Sequence, residues 1–198
     1  MNYSSVAKLR RFVAAPVERC DFCRARLPDE HAHLVENDSL RLFCACAQCA
    51  RDMSDGFRLV EPHREALEEW SLDDADWASL QIPVDVAFLF RPEYGAEPAA
   101  LFPGPAGTTR SQLSIEVWTN LVGKYPLLGE LTPGAEAILV NRSRGRRDHY
   151  RVSTDHCYAL AGLMRTRWRG LAGGPEAWEA IETYLQDLDR TAQRAPHA

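Results

Sequence analysis

Five of the six cysteines in this 198-residue chain, Cys20, Cys23, Cys44, Cys46 and Cys49, fall within thirty residues, and only Cys157 lies outside that window. Such crowding marks the N-terminal segment as a module distinct from the rest of the chain. Four of the five are arranged as two Cys-x-x-Cys pairs, Cys20 with Cys23 and Cys46 with Cys49, with 22 residues between them. One tight turn aims both sulfurs of such a pair at a single ion, and two pairs complete the tetrahedral shell of a structural zinc. The separation is slightly longer than usual for paired zinc knuckles. The same thiolates also suit an iron-sulfur cluster, which is the alternative cofactor. Four thiolates leave no open position for water or substrate, so the site is expected to hold the fold together rather than to catalyse.

Cys44 is the surplus thiol. Alternation along Leu40, Leu42 and Cys44 puts it on the apolar face of a strand, as a small packed side chain, with ligation in place of Cys46 or a share in a cluster as the other readings. His31 and His33 could ligate a metal or hydrogen-bond a ligand from behind. A histidine beside a hairpin is often simply packed or exposed, and the residues alone favour that or the supporting role over direct ligation.

The composition, 45% hydrophobic and 26% charged, is that of an ordinary soluble globular protein, and no long apolar run offers a membrane span. The opening MNYSSVAKLRRFVAAP has basic residues but no apolar stretch after them to act as a signal peptide, so a cytosolic protein is expected. In a reducing compartment, clustered cysteines point to metal rather than disulfides. The net charge of -5 argues against a general polyanion binder.

The coarse pattern predicts a short basic helix from Ser4 to about Val13, then two strands within His33 to Cys44 around a turn at Asn37, Asp38 and Ser39. A turn of helix at Ala50 to Met53, a third strand in FRLVEP and a helix at Arg64 to Trp70 come next. After the aspartate-rich SLDDADWASLQIP, a strand pair is expected at 84–90 and 97–102, then a loop in PGPAGTT and a helix from Ser114 to Val122. Two strands, AEAILV and HYRV, are joined by the basic turn NRSRGRRD, and two helices, Asp155 to Arg169 and Pro175 to Ala192, complete the pattern. Helices do not alternate regularly with single strands, so the fold class is α+β: a zinc-ribbon or treble-clef-like module, then an antiparallel sheet with helices packed on one face. The corresponding domains are 1–62, a helical linker at 63–82, and 83–198.

Little else marks chemistry. Asp155, His156 and Cys157 are neighbours, but neighbours on a helix point in different directions, and the spacing of Cys157, Leu160, Ala161 and Met164 makes Cys157 part of a buried face. Arg142, Arg144, Arg146 and Arg147, with Arg165, Arg167, Trp168 and Arg169, form two basic clusters that suit either a partner-binding surface or a solvated turn and helix end. Trp70, Trp77, Trp118, Trp168 and Trp178 read as core or interface anchors. No phosphate loop, dinucleotide fingerprint or metalloprotease motif is present, and nothing marks an enzyme.

Taken in order, ERCDFCRARLPDEHAHLV, RLFCACAQC, WASLQIPVDVAFLF, FPGPAG, DHCYAL and RWRGLAGGPEAW resemble an uncharacterised bacterial family associated with nickel-iron hydrogenase accessory genes. The likeness runs nearly end to end and includes His31, His33 and Cys44, which implies a role for them at the metal site. It also implies a non-enzymatic accessory protein whose partner is a hydrogenase subunit or maturation factor. An iron-sulfur electron carrier or cluster donor, and a zinc-dependent nucleic-acid binder, are the competing expectations.

Overall fold

The computed structural model describes residues 18–194, apart from 38, 54, 94–95, 105–106 and 170–173. The basic helix expected at Ser4 to Val13 lies outside the described residues.

The cysteine-rich segment begins with a tight turn closed by a bridge between Arg19 and Arg26. Next come three strands, β1 (Ala32–Glu36), β2 (Leu42–Ala45) and β3 (Phe57–Val60), with a short helix, α1 (Ala47–Asp52), between the second and third. They form an antiparallel sheet in the order β2-β1-β3. Side chains alternate across a sheet, so the register sorts them. Val35 lies opposite Leu42 and His33 opposite both Cys44 and Val60. Leu34, Phe43 and Leu59 take the other face, where Phe22 from the turn stacks with Phe43 and Phe57 at centroid distances of 5.7 and 5.4 Å. The turn, hairpin and helix succeed one another as expected of a treble-clef-like module.

The larger sheet has seven strands: β4 (Arg64–Ala66), β5 (Val86–Phe90), β6 (Ala99–Gly104), β7 (Gly107–Gln112), β8 (Glu136–Asn141), β9 (Asp148–Ser153) and β10 (Gln193–Arg194). Their order is β10-β4-β9-β8-β5-β6-β7, antiparallel except for the parallel pair β10 and β4. All five residues of β5 are buried, which is the mark of a strand covered on both faces. On one face Val86, Phe88, Phe90 and Leu139 pack under the two long helices, α5 (Asp155–Arg167) and α6 (Gly174–Thr191), as expected. The second face is covered as well: Leu89, Ile138 and Val140 pack with Trp118, Leu121 and Leu128 from α3 (Ile115–Lys124) and α4 (Leu127–Glu130), and with Trp77 of α2 (Asp74–Ser79).

Two local expectations are corrected. Arg64 to Ala66, predicted to begin a helix, is a strand paired with Val152, Arg151 and Tyr150 of β9. Its residues are good helix formers, but pairing on a sheet edge outweighs a propensity of tenths of a kilocalorie per residue. The glycine- and proline-rich segment predicted as a loop forms instead a hairpin of β6 and β7. Pro103 is tolerated there because β6 has already run past its last β5 partner, Phe88 opposite Leu101, so no N–H is required on that side.

The small sheet rests on the large one. Val35 and Val60 are buried with Ala135, Tyr158 donates its hydroxyl hydrogen to the Leu40 carbonyl, and Arg58 both donates to the Pro133 carbonyl at 2.6 Å and pairs with Glu93 at 2.8 Å. Gly134 sits at this contact with φ +70°, a conformation that favours glycine, and a Cβ there would meet the Leu40 side chain at 3.2 Å. Among the described residues, no helix is long and apolar enough to cross a membrane.

Candidate metal centre

The first Cys-x-x-Cys pair lies in a backbone turn held by the Arg24 N–H to the Cys20 carbonyl at 2.9 Å and the Cys20 N–H to the Ala25 carbonyl at 2.8 Å. Arg24 takes a positive φ of 64°, which lets the chain reverse just after Cys23. The second pair straddles the start of α1. Cys46 is its N-cap, accepting from the Cys49 N–H at 3.5 Å, and Cys49 lies in the first turn. The hairpin folds the two pairs together, so that the sulfurs of Cys20, Cys23, Cys46 and Cys49 all lie within 4.8 Å of one another.

This spacing permits a test of fit. Thiolates bound tetrahedrally to one zinc at about 2.3 Å stand about 3.8 Å apart. The Cys23 and Cys46 sulfurs are 3.7 Å apart. A polynuclear cluster sets bridging sulfides between its irons, which drives thiolates on different irons further apart than two on one ion. The four sulfurs therefore fit a single ion, and all four are free thiols.

The electrostatics agree. Burial opposes ionisation of Cys20, but N–H groups of Cys23, Cys46 and Phe22 outweigh it and pull the thiol down to about 6. The Cys49 N–H likewise lowers Cys46. Cys49 is pushed up to about 12, first by desolvation and then by its neighbouring thiols. Four thiolates so close together hold their full charge only when a cation shares it.

Cys44, His31 and His33 do not join that set. Cys44 is half-buried rather than fully packed, and desolvation, with the charges of Asp21 and Glu18, raises its pKa. Its donor atom lies within 4.8 Å of one nitrogen from each histidine, in a second group of three. Two carboxylates beside this group carry no sequence signal of their own. Asp21 accepts the Cys44 N–H at 2.7 Å, and Asp155 stands 3.7 Å from His33 Nδ1. A residue at the start of α5 meets one on β1 only through the packing of the two sheets, and no local spacing announces it. The position of Asp21 inside the first Cys-x-x-Cys pair is the one available hint.

The remaining candidates lie apart from both groups. Cys157 is 2% exposed in the main core, and burial pushes its pKa well up. His156 turns its Nδ1 to the Tyr184 hydroxyl at 2.7 Å. The turn arginines face carboxylates: Arg144 pairs with Glu182, Arg146 with Asp148 at 3.4 Å and Glu182 at 3.6 Å, and Arg147 with Asp74 at 2.8 Å. Trp168 packs near Trp178, at a centroid distance of 6.3 Å, and Arg167 lines an open hollow together with Glu176 and Glu179. A cleft of about 480 Å³ opens between α5 and the β6–β7 hairpin, lined by Leu101, Arg110, Tyr158 and Arg165.

Fold and site together define an α+β protein with a four-cysteine centre able to hold a metal ion on a small treble-clef-like module. The chain belongs to the family of unknown function DUF5947, which it matches over residues 19–192. No curated protein and no solved structure matches it.

Proposed function

We propose that this chain is a non-enzymatic accessory protein whose four-cysteine centre binds one structural zinc and whose surface works through protein-protein contacts. The observation that carries the reading is the mutual approach of Cys20, Cys23, Cys46 and Cys49 within 4.8 Å, a closed thiolate set with no position left for a substrate. When bound, the ion ties the turn, the hairpin and α1 into one unit. The residues do the remainder: the N–H groups around Cys20 and Cys46 stabilise thiolate charge, and Phe22 covers the outer face of the hairpin.

Assistance in nickel-iron hydrogenase maturation or assembly, by contact with a subunit or maturation factor, is the sharper form of the proposal. It rests on the sequence resemblance alone. The fit to one ion counts against the iron-sulfur alternative, and the pairing of Arg144, Arg146 and Arg147 with carboxylates counts against a nucleic-acid surface. Elemental analysis of anaerobically purified protein tests the metal: zinc lost on Cys20→Ser is expected, whereas brown, iron-containing protein would overturn it. Co-purification with hydrogenase subunits tests the partner, and unaltered hydrogenase activity after deletion would count heavily against that role.

A further inference from the structure

The hairpin brings a second set of donors together on the face turned toward the large sheet. His33 and Cys44 are directly paired residues of β1 and β2, so their side chains rise from the same face, and His31, two residues before His33, rises beside them. The two imidazole rings stand 4.8 Å apart at 72°, and one donor atom from each of the three residues lies within 4.8 Å of the others.

The state of His31 carries the inference. Its side chain is only 5% exposed. Its Nδ1 lies 3.0 Å from the Pro28 carbonyl, which can only accept, so the ring proton belongs on Nδ1 and the lone pair on Nε2. That Nε2 is buried and has no hydrogen-bond partner. Buried polar atoms are almost always satisfied, and a bare imidazole lone pair beside a second imidazole and a thiol is the arrangement a metal ion would satisfy. The surroundings fit the same purpose. Asp155 stands 3.7 Å from His33 Nδ1, where a carboxylate favours the ring proton on Nδ1 and leaves Nε2 for ligation. Asp21 accepts the Cys44 backbone N–H at 2.7 Å, and the Asp21 N–H donates back to the Cys44 carbonyl at 2.9 Å, so both backbone groups of Cys44 are held at the outer edge of β2.

We propose that His31, His33 and Cys44 form a second metal site, separate from the four-cysteine centre, that binds a divalent ion of the zinc class and leaves one coordination position open to an exogenous ligand. Two imidazoles and one thiolate suit borderline-soft ions such as zinc, cobalt or nickel and disfavour magnesium and calcium. Three protein ligands are one short of a tetrahedral shell, the arrangement of sites that bind water or substrate, in contrast to the closed tetrathiolate set. His33 and Cys44 are partly accessible, so a small ligand can reach the ion from their side. The site therefore exchanges metal and ligand more readily than its neighbour.

The test is a cobalt(II) titration of the full metal-free chain under anaerobic conditions, followed by its visible and thiolate charge-transfer absorption. Wild-type protein is expected to take up two equivalents, and Cys44→Ser and His33→Gln one each, with the tetrathiolate spectrum retained as proof that the module still folds. Azide should shift only the bands of the second equivalent. A wild-type stoichiometry of one, or two equivalents kept by both variants, would overturn the site, and indifference of the second equivalent to azide would overturn its open position. Failure of the four-cysteine reading looks different: the tetrathiolate band would be missing while an imidazole-thiolate spectrum depended on Cys44.

Discussion

The two sheets of this protein are stabilised in opposite ways. Among the described residues, the three-stranded sheet gives Val35 and Val60 to a small buried cluster with Ala135, which belongs to the other half of the molecule, and it buries Leu34 and Ala45 besides. The seven-stranded sheet is filled on both faces, by Phe88, Phe90, Leu139 and Leu160 on one and Leu89, Ile138, Leu121 and Leu128 on the other. A segment of this size buries little apolar surface with which to hold itself, and under the proposed reading a metal joining four distant ligands takes the place of a larger core. The contrast teaches that one chain can set donor atoms where it lacks volume, and volume where it has length.

Metal removal gives the largest separation between the halves. Structural zinc contributes about 10–16 kcal/mol in small zinc modules, so stripping the ion should abolish hydrogen-exchange protection across residues 18–60 while the strands from β5 to β9 keep theirs. Simultaneous loss of protection in both sheets would break the comparison. The reverse experiment is Phe88→Ala, which empties a fully buried position. A loss of about 3–5 kcal/mol in denaturant unfolding is expected, with metal stoichiometry unchanged.

A smaller effect sharpens the description of the large core through His149, which is 5% exposed, packs against Trp70 at 5.0 Å and accepts the Leu72 N–H at 3.5 Å. Desolvation holds its pKa at about 4, with the positive charges of Arg142 and Arg147 acting in the same direction and Asp148 against them. The folded protein keeps this imidazole neutral while the unfolded chain takes up a proton as pH falls through about 6.5. Its contribution is thus complete above pH 6.5 and declines as pH drops toward about 4, by at most about 3 kcal/mol. The difference in stability between wild type and His149→Gln, measured across that window, should slope accordingly, and a flat difference would refute it. The smallest change falls at the seam. Arg58→Ala removes the bond to Pro133 and the pair with Glu93, and should cost about 1–2 kcal/mol, seen as faster exchange in β3 alone.

The parts legible in the sequence were those governed by local rules. Paired cysteines, the β1–β2 hairpin, the start of α3 at Ser114 and the apolar spacing of Cys157, Leu160, Ala161 and Met164 each state their structure within a few residues. What stayed hidden depends on distant partners. Arg64 to Ala66 is a strand only because β9 is there to pair with it, and Asp155 meets His33 only because α5 begins beneath β1. Cys44 lay between these cases: alternation placed it on the correct face, but its neighbours there proved to be histidines as well as apolar side chains.

The position of β4 has a consequence for the order of events during synthesis. The cysteine turn, hairpin and α1 are contiguous in the chain, so every donor of both candidate metal groups has been made by residue 49. β4 is made shortly afterwards, yet its neighbours on the sheet are β9, at Asp148–Ser153, and β10, at Gln193–Arg194. A nascent chain can therefore close the small module around its ion long before the large sheet can form, because the latter waits for strands made last. Metal loading would then be an early, local step, and the β4 side of the large sheet is completed only when β10 has been made.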